Sequence, residues 1–355
     1  MWLTVDESKK FLYAVDATTD DSKPGLIHSY AINQATGELT PIGKVSSEGS
    51  VPCHMSVVGK TCLVANYVGG NVAAFPIGED GTLGASTSTH AHGPGAGGHA
   101  CDRMDAAHPH IITPGPNKKF AFVCDLGCNA IIGYSLDLAG STLAKVSEVT
   151  LHAGAGPRHL AFSPSGRFAY SVNEMDNTVT PLSFDATAGT LTMLGEAAPS
   201  VSALPAGTPL AEHGGAAEIQ ISADGRFAYA SVRMTGGFNA CPEPETPEAA
   251  VFNTIAVFSL DAATGAATLV ENVSSGGSMP WSHTFLDEDD SLLLVQNQHT
   301  KHTGKSEKEG GTNDGNNGEG PGRIVIFRRD AESGGLTELV AVEVPQAMCV
   351  TAVTL

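Results

Sequence analysis

The chain has 355 residues, with 41 Gly, 20 Pro and only 16% charged residues, a balance rich in turns and poor in helix formers. A formal charge of −19 excludes the basic stripe that nucleic-acid binding requires and makes an anionic membrane surface a poor partner. The seven Cys form no framework and neither a signal peptide nor a membrane span is visible, which points to free thiols in a reducing, cytoplasmic setting.

From the N-terminus, residues 1–5 form an apolar segment that runs into a turn at 6–9, and residues 11–15 run back. The same phrase returns along the chain. It is clearest as Gly156-Pro157-Arg158-His159, then Phe162-Ser163-Pro164-Ser165-Gly166-Arg167-Phe168, ending at Asn173-Glu174. Related phrases sit at 55–65, 111–124, 219–231 and 285–296. The returning strands are 11–15, 61–65, 120–124, 168–172, 227–231 and 292–296, and a third strand follows each, at 27–31, 72–76, 131–136, 179–184, 255–260 and 324–328. Several then close with Asp-x-x-x-Gly-x-Leu or Gly-x-Leu turns, as at Gly37, Gly81, Gly189 and Gly335-Leu336.

Four antiparallel strands repeated every roughly 40–60 residues describe an all-β propeller, here one domain over 1–355. A β-sandwich with irregular loops would not repeat the same strand order. Six repeats are visible. Residues 347–353 read as one more innermost strand, so a first blade is expected to be missing or incomplete, unless the ring closes with six. Residues 300–322, rich in Gly, Asn, Lys and Glu, read as a mobile inserted loop, and 241–250 as an exposed excursion.

Hairpin register brings polar residues together. With the turn centred near Gly166, Arg158 falls opposite Glu174. The same counting sets His110 opposite Leu126, beside Asp125, and Arg233 opposite Ala217. His110 and Arg158 each precede their turn proline, Pro116 and Pro164, by the same interval. Repeat symmetry thus aims His110, Arg158, Glu174 and Arg233 at one rim of the ring. Two guanidiniums can hold a carboxylate, phosphate or developing oxyanion, with a Glu as general base and a His as proton donor. A structural cross-strand ion pair between Arg158 and Glu174 is the bland alternative.

A competing signal is the crowd of His90, His92, His99, Cys101, Asp102, His108 and His110, whose spacing fits no closed zinc site. No metal or other cofactor is therefore expected. Gly-x-Ser-x-Gly is absent, which removes a serine nucleophile elbow.

At Arg103, His108 and His110 with Asp125-Leu126-Gly127, at Gly154–Gly156 with Pro157-Arg158-His159, at Val172-Asn173-Glu174, at Arg233 and at Asn297-Gln298, the chain resembles the lactonase-type seven-bladed propellers. These include 6-phosphogluconolactonases and carboxy-cis,cis-muconate lactonizing enzymes. The resemblance implies a catalytic set of His110, Arg158, Glu174 and Arg233, and places Arg103, His108, Asp125, His159, Asn173 and His283 around a small anionic lactone such as 6-phosphogluconolactone. One departure is that Pro280-Trp281 stands where relatives often carry Pro-Arg, which counts against a phosphosugar. Three functions stay open: a lactone hydrolase, in which Glu174 or His110 activates water; a cycloisomerase on an unsaturated dicarboxylate; and a non-catalytic propeller that binds a partner at its rim.

Overall fold

The computed structural model describes residues 2–17, 22–97, 102–205, 215–233, 253–287, 289–302, 318–345 and 349–351. Among the described residues, six antiparallel sheets built on four strands succeed one another along the chain, the fourth carrying in addition the two-residue strand Val201–Ser202 on its third strand. We number these blades 1 to 6. Their first strands are Leu3–Val5, Pro52–Val58, Pro109–Pro114, Pro157–Phe162, Ala216–Ile221 and Ser278–Phe285. Within each blade the strands pair in sequence order, and first strands of successive blades pack on each other, so they form the inner wall of a propeller.

Burial follows position in the blade. Second strands such as Phe168–Asn173 are buried along their whole length, because neighbouring blades cover both faces. Outer strands such as Thr142–Thr150 are mostly exposed or half-buried, with only Leu143 buried. The apolar core is divided among the blade interfaces. Tyr170 and Val172 of blade 4, for example, pack with Ile219, Ala230 and Phe258 of blade 5.

The recurring turn signature has a packing reason. In Asp185-x-x-x-Gly189, the Asp185 carboxylate accepts the N–H groups of Thr187 and Ala188, and Asp261 and Asp330 do the same in blades 5 and 6. Gly189 closes that turn with φ at 68°, and a Cβ there would strike the ring of Phe120 in the preceding blade. Gly81, Gly265 and Gly334 meet Phe11, Phe168 and Phe227 in the same way. The Phe that opens a second strand and the Gly of the next blade's turn are therefore two halves of one contact.

The excursion 241–250 lies outside the described residues, as does most of 300–322. The described ends of that second segment form a short ribbon, Lys301–His302 paired with Gly318–Glu319. Of 347–353, only residues 349–351 are described, and they belong to no strand. Cys349 instead touches the backbone of Leu3 and the Ser282 side chain. Both first strands that it neighbours are already paired with the second strands of their own blades.

Candidate active site

The inner strands share an irregularity that decides where side chains point. Their pairing slips between Pro52 and His54, between Pro157 and His159, between Ala216 and Ile219, and between Pro280 and Ser282. In blade 3 it slips between Cys124 and Asp125, opposite Pro109 and Ile111. Each slip is a β-bulge, which leaves a residue outside the ladder and re-aims it. The bulged residues are Cys53, His110, Arg158 and Trp281, with Ala217 and Glu218 sharing the bulge of blade 5. A proline precedes the first four. Proline has no N–H to give to a ladder, so it suits the start of a strand beside a bulge.

The bulges gather a buried charge cluster. Glu174, 2% exposed, lies at the centre. Its Oε1 is 2.7 Å from Arg103 Nη1 and 3.1 Å from Arg233 Nη2, and its Oε2 is 2.9 Å from Arg158 Nε. The peptide N–H of Glu174 donates to Gly156 O, which ties the carboxylate to the strand carrying Arg158. Arg158 Nη1 also donates to the carbonyl of Ala217 at 2.7 Å. Trp281 lies under Arg233, with the guanidinium carbon 4.0 Å from the ring centroid, and its Nε1 donates to Gln298 Oε1.

Three guanidiniums around one carboxylate leave a local net charge of about +2. Against a chain charge of −19, such a buried positive site is a deliberate local reversal. Burial alone would raise the Glu174 carboxyl, but Arg103, Arg233 and Arg158 hold it down at about 2. Burial and the two neighbouring guanidiniums lower Arg233 to about 9, which keeps it charged near neutrality.

Beside the cluster stands a wall of imidazoles and aromatics. The rings of His110 and His159 meet edge to face at 5.4 Å, and His159 continues to His54 and Trp2, each at 5.5 Å. Tyr67 meets His110 at 5.4 Å and stacks on His108 at 4.4 Å. The Cys53 thiol lies 4.0 Å from His110 Nδ1. Burial, then the charges of Arg158, His159 and Arg233, push His110 well below its ordinary value, so its imidazole is neutral at neutral pH.

Eight of the ten sequence-derived residues thus separate into three groups. Arg103, Arg158, Glu174 and Arg233 are in direct contact, with His110 and His159 alongside. His108 is one layer out, against Tyr67. His283 is buried behind the channel, its Nε2 on the carbonyl of Tyr229 at 3.1 Å.

Asp125 and Asn173 stand apart from the cluster. Asp125 is wholly buried, 2.6 Å from His92 Nδ1, and accepts the backbone N–H groups of His108 and Cys128. Asn173 spends its amide on Thr178 and Thr180 and accepts from Ser171. Asn173 is the last residue of its strand and Glu174 the first of the turn that follows, so the two side chains part there. The histidine crowd is dispersed as well: His90 binds the carbonyl of Leu143, and His92 sits between Asp125 and Tyr134. His99 and Cys101 lie outside the described residues.

Sequence counting missed Trp2, Cys53, His54, Tyr67, Glu218 and Trp281. The signal for two of them was present. Pro52-Cys53 and Pro280-Trp281 repeat the Pro-x opening of Pro109-His110 and Pro157-Arg158.

Comparison with known proteins extends over most of the chain. A family model described as "Lactonase, 7-bladed beta-propeller" matches residues 1–306. The 6-phosphogluconolactonase of Bacillus subtilis is 30% identical over 98% of this chain and 86% of its own length. A solved structure titled as a putative 6-phosphogluconolactonase from Bacteroides uniformis is similar with a TM-score of 0.79 and 26% identity, covering 98% of this chain and 86% of that one. The periplasmic gluconolactonase of Pseudomonas aeruginosa is similar with a TM-score of 0.76 and 25% identity, over 97% and 85% of the two chains.

Proposed function

Because the chain belongs to the lactonase family of seven-bladed β-propellers, we propose that it is a lactone hydrolase acting on a small anionic sugar lactone such as 6-phosphogluconolactone. The observation that carries this reading is the buried net-positive cluster of Arg103, Arg158 and Arg233 on Glu174, with neutral His110 beside it. Arg158 and Arg233 grip the anionic substituent and stabilise the tetrahedral oxyanion where it develops. Trp281 stands where an arginine would have added a further charge, and its stacking and hydrogen bond fix Arg233 from below.

His110 is the better candidate for activating water. A carboxylate gripped by three guanidiniums has little affinity for a proton, so Glu174 serves as the anchor that sets the spacing of the arginines. A neutral imidazole can accept a proton, and a bound anion offsets the arginine charges that now depress its basicity. Five cysteines, Cys53, Cys62, Cys124, Cys128 and Cys349, are free thiols, which favours a reducing compartment.

The test is proton release in a pH-stat on 6-phosphogluconolactone, gluconolactone and muconolactone, with Arg158→Ala as control for spontaneous hydrolysis. Turnover by the native protein, reduced at least about 10²-fold in the variant, is expected. Native protein no faster than the variant on every lactone would overturn the hydrolase reading. Ring closure of carboxy-cis,cis-muconate in the same protein would then identify the cycloisomerase.

A further inference from the structure

Two buried carboxylates lie beside the bulged inner strands, and their surroundings drive them apart. Glu174 is held by three guanidiniums. Glu218, 4% exposed on the bulge of blade 5, is held by an imidazole: its Oε1 lies 3.1 Å from His159 Nδ1 and accepts the N–H of Ile219 at 3.2 Å. Its Oε2 has no hydrogen-bond partner among the described residues. The groups facing Glu218 are His159 and Arg158 from blade 4, His283 from blade 6, and Cys349. His54 and Trp2 stand behind His159, and His110 meets its ring at 5.4 Å.

Burial pushes the Glu218 carboxyl up to about 7, with His283 and Arg158 opposing only in part. Burial, then the charge of Arg158, pushes His159 well below its ordinary value. Near neutrality much of this pair is therefore a carboxylic acid beside a neutral imidazole. Carboxylates whose environments separate their proton affinities divide acid from base roles.

We propose that Glu218 holds the proton taken up by the departing ring oxygen and passes it through His159, while His110 removes the proton from the attacking water. This rests on the lactonase reading. The bond from water oxygen to carbonyl carbon forms as His110 takes the water's proton. The ester C–O bond breaks as His159 gives a proton to the alkoxide and receives one from Glu218 at Nδ1. The product carboxylic acid then ionises, and the proton on His110 passes by way of solvent to Nε2 of His159 as Nδ1 returns its proton to Glu218, which restores both groups. One water is consumed, and one proton is released. Glu218 acts through His159 and is a positioning and proton-holding residue.

The experiment compares native protein and Glu218→Gln, which keeps size and hydrogen bonding but cannot ionise. Turnover is followed from about pH 5 to 9 on 6-phosphogluconolactone. Native kcat is expected to fall as pH rises through about 7, where Glu218 loses its proton. The variant should lose at least about 10²-fold in kcat, with little change in KM, and the alkaline fall should disappear. A purely structural role would lower the melting temperature and raise KM while leaving that fall in place, and this outcome overturns the inference. Infrared difference spectra give a readout that needs no turnover. The carbonyl stretch of a protonated buried carboxyl should appear near neutral pH in the native protein and vanish in the variant, and its absence from the native protein also overturns the inference. Native protein without turnover sinks the lactonase reading and this proposal with it, whereas turnover with an unchanged pH profile sinks only the proposal.

Discussion

At the scale of single residues, the site is a problem of keeping like charges together. Arg103, Arg158 and Arg233 converge because Glu174 stands between them. Glu174→Gln removes that counter-charge, and truncating one partner of a buried ionic cluster costs about 3–5 kcal/mol. A comparable loss in urea unfolding is expected, together with reduced turnover as the arginines separate. Unchanged stability would show that the cluster is solvated and loosely held. Arg158→Ala tests the opposite element, the proposed oxyanion donor, and should cost at least about 10²-fold in kcat/KM with a smaller effect on the fold. Arg158 and Glu174 were legible as a pair because the hairpin phrase sets them at equal distances from its turn. Glu218 was not, since its neighbours in the sequence are Ala217 and Ile219, and burial among histidines is what gives it chemical character.

At the scale of elements, two devices carry side chains to the cluster. The bulged inner strands deliver His110, Arg158 and Trp281, each announced by a preceding proline. Arg103 arrives by another route, on a short 3-10 turn, Asp102–Met104, outside the blades. That turn is fastened by Asp125, which binds the backbone of His108, and by close packing against Gly127. A Cβ on Gly127 would overlap the carbonyl of Ala106. Gly127→Ala should therefore displace the segment bearing Arg103 and cost about 1–3 kcal/mol from overpacking. A raised KM beside a lowered melting temperature is the expected result, and native KM would show that Arg103 stays in place. Asp125 was set near a substrate by the resemblance. In the structure its carboxylate holds His92 and the backbone of His108 and Cys128, contacts that no count of residues contains.

At the scale of the whole molecule, the two carboxylates give stability opposite dependences on pH. Glu174 is held at about 2, below its ordinary 4.5, so it stabilises the fold above that ordinary value, and the contribution is lost as pH falls from 4.5 toward 2. Glu218 is raised to about 7, so its contribution is present below 4.5 and is lost as pH rises through 7. Thermal melting across pH should show an acid loss that is removed in Glu174→Gln and an alkaline loss that is removed in Glu218→Gln. Retention of both losses in both variants would assign them to other groups. Chelation provides a further test. Among the described residues, no three His, Cys, Asp or Glu side chains converge on a metal-sized site, so turnover should survive a chelator. Activity lost to chelation and restored by a divalent cation would refute that.

The amino-acid sequence alone determined the blade, its repeat and the identity of the central ion pair. Strand alternation, turn glycines and the Phe that meets them are local or nearest-neighbour properties, and repetition makes them readable. The tertiary structure alone decided which polar residues face the channel. A bulge takes one residue out of the ladder and shifts the register beside it, so Cys53, Trp281 and Glu218 turn in. The proton affinities that separate Glu174 from Glu218 also arise only there. They depend on which charges remain within a few ångströms once water is excluded, and those neighbours come from different blades.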